Sequence, residues 1–243
     1  MPTGSRPALL LRLGRVNYAD ALSLQRDVRG LRGADAIPDT LMLLEHPPVV
    51  TLGKHASVAN LLVPESVLGE RGIQVVRTER GGDITFHGPG QLVGYPVFRL
   101  RSGLVGVRRY VELVQEAVVR ALADVGVAGS VRGGYVGVWC GEGKIASIGV
   151  AVQRGVTFHG FALNVCTDLA FFELMRPCGI AGVQMTSVAQ EGGNPDIDAV
   201  AAAVASGFEQ VFGLQFQRNL PRSLTSLTKG LSDSAMASAS DSV

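Results

Sequence analysis

Three β-branched segments follow one another in the middle of the chain, with only short glycine-containing turns between them. They span Tyr135–Cys140, Lys144–Val152 and Val156–Val165. Parallel neighbours need a crossover of a dozen or more residues, whereas antiparallel neighbours are joined by short turns. The spacing therefore predicts sequential antiparallel strands at this point, and it disfavours a doubly wound parallel sheet.

Helices are predicted between the remaining strands. The clearest is Val107–Val125, whose apolar residues recur at intervals of three and four and which Gly126 follows as a C-terminal cap. Asn17 is a plausible cap for a second helix, and alanine-rich periodicity predicts a late one. The other predicted helices are Tyr18–Leu31, a short one from Pro64 to Glu70, and Ile197–Val211.

Four further short strands are expected at Ala8–Leu13, Leu41–Glu45, Val49–Leu52 and Ile73–Arg77. Together these elements predict an α+β fold, with a mixed or antiparallel sheet flanked by helices, in a single domain over residues 1–220. After Leu220 the chain is rich in Ser, Ala, Thr and Asp and has few large apolar residues. This composition predicts a disordered tail, or a mobile cover, over residues 221–243.

Charge and hydropathy narrow the classes of function. The formal net charge of +1 gives no overall indication of a nucleic-acid partner. The chain has no run of 18 apolar residues and no secretory signal, so we expect no membrane association and a cytoplasmic location. Its three cysteines form no Cys-x-x-Cys pair and are interpreted as free thiols in a reducing compartment.

The first group of residues suited to chemistry is the glycine-rich stretch from Arg80 to Gln91. Its glycines let the backbone turn sharply or approach a ligand closely, and Arg80 and His87 add a fixed cation and a group that ordinarily titrates near neutrality. A glycine-rich hairpin with a surface arginine is an equally good interpretation of these residues alone. The stretch lacks the patterns of a dinucleotide or phosphate loop, which weighs modestly against ATP chemistry.

Two further groups lie within the predicted antiparallel strands. Lys144 enters an apolar strand, where burial of its stem would leave its ammonium in need of a partner, although a lysine at a strand start usually reaches water. Gly160 and Ala162 are small enough to leave room for an apolar ligand chain against the sheet. A tightly packed strand pair explains the same residues and is favoured when they are considered alone.

The fourth group is Pro177-Cys178-Gly179-Ile180. Proline and glycine on either side indicate a rigid turn that presents the thiol, and a lysine nearby would lower the pKa of that thiol. Cys140 and Cys166 have no such context. The four histidines form no close-spaced pair, so no metal site is predicted.

Taken together, these groups resemble the lipoyl(octanoyl) transferase family. Five segments occur in the family's order between about residues 8 and 216, and five in order are much more specific than any one alone. They are Glu45-His46-Pro47-Pro48 with Thr51 and Gly53; Arg80-Gly81-Gly82 through Gln91; Gly143–Gly149; His159–Asn164; and Pro177–Ile180 with Met185-Thr186-Ser187.

The resemblance implies a fold related to biotin and lipoate protein ligases, and a catalytic pair made by Cys178 and Lys144. It implies no cofactor, and it leaves His159 as a possible supporting residue. Asp83 and Phe86 differ mildly from residues frequent in the family, which puts the preferred chain length in doubt. The substrate-binding residues that it implies are Arg80, Gly81, Gly82, Asp83, Ile84, Thr85, Phe86, His87, Ser147, Ile148, Gly149, Gly160, Phe161 and Ala162.

The activity implied is transfer of an octanoyl group from octanoyl-acyl carrier protein, through a Cys178 thioester, to a lipoyl-domain lysine. Acceptors would be the lipoyl domains of 2-oxo acid dehydrogenase complexes and the glycine cleavage H protein. Two alternatives remain open at this point. One is an ATP-dependent lipoate protein ligase, which needs no cysteine, and the other is a non-catalytic protein that binds acyl carriers or lipoyl domains.

Overall fold

The computed structural model describes residues 5–100, 106–176, 182–217 and 219–229. It contains two β-sheets with helices packed on their faces, which confirms the predicted α+β class. The strands are β1 (Arg6–Arg15), β2 (Asp39–Glu45), β3 (Val49–Leu52), β4 (Gln74–Arg77), β5 (Ile84–His87), β6 (Gln91–Val97), β7 (Val138–Cys140), β8 (Gly143–Gln153), β9 (Val156–Asn164) and β10 (Leu214–Gln217).

The larger sheet has seven strands in the order β10-β1-β2-β6-β9-β8-β7. Strand β1 pairs in parallel with β10 and β2, and every other pairing in this sheet is antiparallel. The predicted succession β7-β8-β9 is thus confirmed, although β7 begins at Val138 and not at Tyr135. In the smaller sheet, β3 lies between a parallel β4 and an antiparallel β5.

Before residue 220 the α-helices are α1 (Tyr18–Gly33), α2 (Glu65–Glu70), α3 (Val107–Asp124) and α4 (Ile197–Phe212). Each coincides with a predicted helix to within a few residues. Gly126 follows α3 with φ 85°, a left-handed conformation that a glycine adopts without strain. Asn17 precedes α1 as predicted, but its side chain forms no capping hydrogen bond.

Helices cover both faces of the large sheet. Apolar residues of α3 and α4 pack on one face, together with Phe161 and Leu163 of β9. Residues of α1 pack on the other face, with Val93, Tyr95 and Ala162. The alternation of side chains along a strand explains why Phe161 and Ala162 belong to different clusters. The small sheet forms a third cluster with residues 169–175.

The structure contains three strands that the sequence did not predict, namely β5, β6 and β10. The glycines from Gly81 to Gly90 obscure β5 and β6, yet Gln91–Val97 is buried along its whole length. The start of the predicted disordered tail also differs, because residues 222–229 form a helix whose Leu224 is fully buried beside α1. Residues 230–243 lie outside the described chain, and disorder there stays a prediction.

Candidate active site

A cavity of about 230 Å³ lies between β8 and β9 of the large sheet and β5 of the small sheet. The glycine-rich segment before β5 forms one wall, and the segment before β7 lies at the cavity as well. Its lining residues are Tyr18, Arg80, Gly82, Asp83, Ile84, Thr85, His87, Tyr95, Gly134, Tyr135, Val136, Lys144, Ser147, Ile148, Gly149, His159, Gly160, Phe161 and Ala162.

Lys144 is buried at this cavity, with 1% of its surface exposed. Its Nζ lies 5.3 Å from the centroid of the Trp139 ring. Its backbone is fixed by the 182–188 segment, since Lys144 N donates to Gln184 O at 2.8 Å and Thr186 N donates to Lys144 O at 3.0 Å. A buried ammonium held in this way can stabilise a neighbouring anion more strongly than a solvated lysine can.

Arg80 is buried and serves the architecture of the cavity wall. Its Nη2 donates to Thr51 O at 2.6 Å and its Nε donates to Thr51 Oγ1 at 3.1 Å. The segment it starts lies directly against β8, because Gly81 N donates to Val150 O at 2.9 Å. A Cβ added at Gly149 would lie 2.7 Å from Gly81 O, so the close approach of these two segments requires glycine.

Two buried histidines lie at the cavity: His87 lines it, and His46 lies beside His87 with ring centroids 5.8 Å apart. His46 Nδ1 donates to Val16 O at 2.6 Å, and its Nε2 accepts from Tyr95 Oη at 2.7 Å. His87 Nδ1 donates to Gln91 Oε1 at 2.8 Å. Burial lowers the pKa of His46 to about 4 and the pKa of His87 well below its ordinary value. The suggestion that His87 changes charge near neutrality is therefore wrong, because a buried imidazolium loses its hydration.

His159 lies on β9 with φ 55°, a left-handed conformation that is uncommon for a residue with a side chain. Its backbone N donates to the side chain of Gln25 on α1 at 2.8 Å. This hydrogen bond connects the left-handed residue to that helix. Burial lowers the pKa of its ring to about 4, and its Nδ1 has no hydrogen-bond partner in the described chain.

Two hydroxyl groups at the cavity are also without a hydrogen-bond partner among the described residues. Thr85 Oγ1 on β5 and Ser147 Oγ on β8 are both buried. An unpaired hydroxyl in an apolar site costs free energy, and a bound ligand that offers an acceptor removes that cost. These two hydroxyls thus give the cavity polar contacts that the protein itself leaves unused.

Cys178 lies outside the described residues, but both flanks of its segment are anchored beside the cavity. Upstream, Arg176 N donates to Asn60 O at 2.8 Å, and the Asn60 side chain donates to Asp83. Downstream, Gln184 O accepts from Lys144 N. Through Asn60, the predicted substrate residue Asp83 is therefore connected to the backbone that precedes the cysteine.

Most of the predicted substrate-binding residues meet at this cavity, as does His159. Two do not line it. Phe86 instead stacks on Phe171 at 4.6 Å and belongs to the core of the small sheet. Successive side chains of β5 point to opposite faces, so Thr85 and His87 face the cavity while Phe86 faces away. Gly81 lies behind the wall, where its backbone pairs with Val150.

Gly160 lines the cavity, but it does not leave room for a ligand in the way that the sequence suggested. A Cβ at this position would lie 2.1 Å from Gly94 O of the neighbouring strand β6. The missing side chain therefore permits close approach of β6 and β9.

Tyr18, Tyr95 and the loop residues Gly134, Tyr135 and Val136 also line this cavity, although the motifs did not predict them. The signal that could have found Tyr95 is an aromatic residue in an apolar run next to the glycine-rich stretch. Tyr18, at the start of α1, carries no local signal of this kind. Within the described ranges, no three His, Cys, Asp or Glu side chains form a group able to hold a metal.

The fold of this chain, with its mixed sheet and flanking helices, is that of lipoate protein ligases of known structure. The structure of a lipoate-protein ligase A bound with ATP superposes with a TM-score of 0.73 at 22% identity, covering 95% of each chain. A bipartite lipoate protein ligase from Thermoplasma acidophilum gives 0.70 at 22% identity, over 95% of this chain and 92% of that one. At these identities the likeness establishes the fold.

Sequence similarity establishes the family. The model of the lipoyl protein ligase A/B catalytic domain matches residues 17–209, and this chain belongs to that family. An octanoyltransferase of Koribacter versatilis is 44% identical over 209 residues, covering 84% of this chain and 83% of the relative. An octanoyltransferase of Alkaliphilus metalliredigens is 44% identical over 205 residues, covering 84% and 94%. No helix in the described ranges is long and apolar enough to cross a membrane.

Proposed function

We propose that this chain is an octanoyltransferase of protein lipoylation, which moves an octanoyl group from an acyl-carrier thioester to a lipoyl-domain lysine. The observation that carries the proposal is the buried Lys144 at the cavity, in a chain 44% identical to octanoyltransferases. The predicted substrate residues of β5, β8 and β9 meet around the same cavity.

The proposed reaction has two acyl-transfer steps. The Cys178 thiolate attacks the octanoyl thioester carbonyl, the carrier thiolate leaves, and the octanoyl group becomes a thioester on Cys178. The acceptor lysine amine then attacks that thioester, forms an amide and releases the Cys178 thiolate. Lys144 stabilises the Cys178 thiolate and gives a proton to the leaving carrier thiolate in the first step. The neutral Lys144 amine then takes up the proton that the attacking acceptor amine loses in the second step. Exchange of a thioester for an amide is downhill, so the reaction needs no ATP and no metal.

Thr85 and Ser147 are suited to hold the acyl carbonyl oxygen. Their hydroxyls are buried at the cavity without partners in the described chain, and donors already in place cost little reorganisation when an oxyanion forms. Backbone amides near Gly179 or in the glycine-rich segment are further candidates for the same oxygen.

The proposed partners follow from the reaction. The donor is octanoyl-acyl carrier protein, and the acceptors are the lipoyl domains of 2-oxo acid dehydrogenase complexes and the glycine cleavage H protein. The enzyme must act in the compartment that contains both its acyl carrier and its acceptors, and we propose that this compartment is the cytoplasm.

Intact-protein mass spectrometry tests the proposal. The wild-type chain, Cys178→Ser and Lys144→Met are each mixed with octanoyl-acyl carrier protein in the absence of ATP. The wild type should gain one octanoyl group and lose it when apo lipoyl domain is added, whereas Cys178→Ser should gain none. Lys144→Met should gain or discharge the group much more slowly.

The control replaces the thioester donor with free octanoate and ATP. Transfer that appears only under those conditions would identify an ATP-dependent ligase and overturn the proposal. Binding of the acyl carrier without any adduct or transfer would instead indicate a non-catalytic binding protein.

A further inference from the structure

The Lys144 side chain runs through a slot formed by Gly137 and Trp139. A Cβ added at Gly137 would lie 2.7 Å from Lys144 Cε and 3.2 Å from the Trp139 ring. Beyond that point, Lys144 Nζ lies 5.3 Å from the centroid of the indole. The stem therefore passes through space that only a glycine leaves open, and the ammonium faces an aromatic ring.

Helix α3 fixes the glycine side of this slot. Gln115 on α3 is buried, and its Nε2 donates to Gly137 O at 2.8 Å. Gly137 itself has φ 143°, a conformation that favours glycine, and its added Cβ would also approach Ala146 O to 2.7 Å. The position of Gly137 is thus set by both α3 and β8 and does not depend on a ligand.

Strand β7 fixes the aromatic side. Trp139 is 3% exposed, and its backbone exchanges two hydrogen bonds with Ser130, of 2.9 and 2.8 Å. Tyr135 lies against it with ring centroids 6.2 Å apart, and the Arg132 guanidinium carbon lies 5.8 Å from the ring centroid. These contacts leave the indole little freedom to rotate away from Lys144.

An indole ring attracts a cation through its negative face, and the attraction strengthens when the cation is buried away from water. Lys144 is nearly fully buried, so this condition is met. Unlike a carboxylate, the ring neutralises no charge and accepts no proton. It can orient the ammonium and leave it able to interact with a substrate or nucleophile.

We propose that Trp139 is a positioning residue for Lys144: its ring, opposite Gly137, orients the ammonium towards the cavity where acyl transfer takes place. This inference rests on the role of Lys144 in the proposed function. It assigns an active-site contribution to β7, which supplies no residue that lines the cavity.

Kinetics of Trp139→Phe and Trp139→Leu test the positioning role. The Trp139→Phe variant keeps an aromatic face, so its kcat should remain within about threefold of wild type. The Trp139→Leu variant has an apolar side chain without such a face. Its kcat should fall about 30-fold, as expected for the loss of a buried cation–π contact. The KM for octanoyl-acyl carrier protein should change little in either variant. Equal kcat values for the two variants would overturn the proposal.

A fluorescence experiment keeps the proposal testable if Trp139→Leu fails to fold. Trp139 is the single tryptophan of the chain, so its emission reports this site alone. Lys144→Met removes the cation facing the ring and should change the emission intensity of the native protein. Arg109→Met, at an exposed arginine on α3 that is paired with Glu112, is the control and should leave both emission and turnover unchanged. An emission spectrum unaffected by Lys144→Met would overturn the contact.

The two proposals fail in distinguishable ways. If Lys144→Met transfers octanoyl groups at the wild-type rate, the role of Lys144 in the proposed function is wrong, whatever its fluorescence. If Lys144→Met is inactive but Trp139→Leu is as active as Trp139→Phe, the proposed function stands and the positioning role of Trp139 is wrong.

Discussion

At the scale of single residues, the cavity contains polar atoms that have no hydrogen-bond partner in the part of the chain that the structure describes. Thr85 Oγ1 and Ser147 Oγ are buried there, whereas the equally buried Thr157 Oγ1 donates to Pro96 O at 2.7 Å. A hydroxyl with a partner stabilises the fold, and one without a partner lowers its stability. This contrast distinguishes Thr157, whose hydroxyl stabilises the fold, from Thr85 and Ser147, whose hydroxyls are suited to ligand binding.

Thr85→Val tests this distinction with a nearly isosteric change. Removing an unpaired buried hydroxyl should leave the free energy of unfolding unchanged or raise it by up to about 1 kcal/mol. The same change should reduce kcat/KM for octanoyl transfer about tenfold, as expected for one lost hydrogen bond to substrate. Urea unfolding and steady-state transfer assays measure the two effects.

Thr157→Val is the matched control. Its hydroxyl is bonded to Pro96 O, so the substitution should lower the free energy of unfolding by about 1–3 kcal/mol. Transfer activity should be retained in this variant, because Thr157 does not line the cavity. Destabilisation of Thr85→Val to the same extent, with full activity, would contradict the assignment of Thr85 to ligand binding.

Gly160 illustrates a second residue-scale constraint. Gly160→Ala would bring its Cβ to 2.1 Å from Gly94 O, and that backbone atom cannot move without disturbing the β6–β9 pairing. We expect a loss of about 1–3 kcal/mol in unfolding free energy or a failure to fold. Gly30→Ala on α1 is the control, since no atom lies within 4 Å of its added Cβ, and it should be neutral or slightly stabilising. Thermal unfolding of both variants compares them, and equal stability would refute the steric argument.

At the scale of elements, periodic patterns predicted helices and strands well and the glycine-rich region poorly. The apolar spacing of Val107–Asp124 favours a helix, and the β-branched run before Asn164 favours a strand. The sequence alone therefore located both elements. Strands β5 and β6 are different, because they form by pairing with β3, β2 and β9, which are distant in sequence. Tertiary pairing of that kind leaves little local signal among glycines.

The helix at residues 222–229 is another element that tertiary contacts decide. Its composition of Ser, Thr and Leu predicts no stable structure, yet Leu224 is fully buried against the α1 face of the sheet. We expect Leu224→Ala to lower the free energy of unfolding by about 2–4 kcal/mol, the usual cost of a cavity at a buried leucine. Leu220→Ala, at a residue 37% exposed, should cost well under half as much. Chemical denaturation gives both values, and equal costs would show that the helix does not pack as described.

At the scale of the whole molecule, the motifs predicted which segments build the site, but not that the histidines of the site are buried. The resemblance located the cavity wall, Lys144 and the β9 residues. It did not reveal that His46, His87 and His159 are all buried, because burial arises from packing between α1 and both sheets. Their shared position gives the fold a collective response to acid that no single motif encodes.

The buried histidines predict a loss of stability in acid. Burial lowers the pKa of His46 and of His159 to about 4, whereas the unfolded chain takes up these protons near pH 6.5. Their contribution is therefore complete above about pH 6.5 and is lost as pH falls towards 4. At about 1.4 kcal/mol for each pKa unit, each histidine removes on the order of 3 kcal/mol across this window, and His87 acts in the same direction.

Urea unfolding at a series of pH values between 7 and 4 measures this decline, and His159→Gln isolates one contribution. With one fewer buried imidazole, the slope of unfolding free energy against pH should fall by up to about 1.4 kcal/mol per pH unit within the window. Gly30→Ala, which removes no titratable group, should leave the slope unchanged. Identical slopes in wild type and His159→Gln would mean that this imidazole gains its proton as readily in the folded chain as in the unfolded one, contrary to its burial beneath α1.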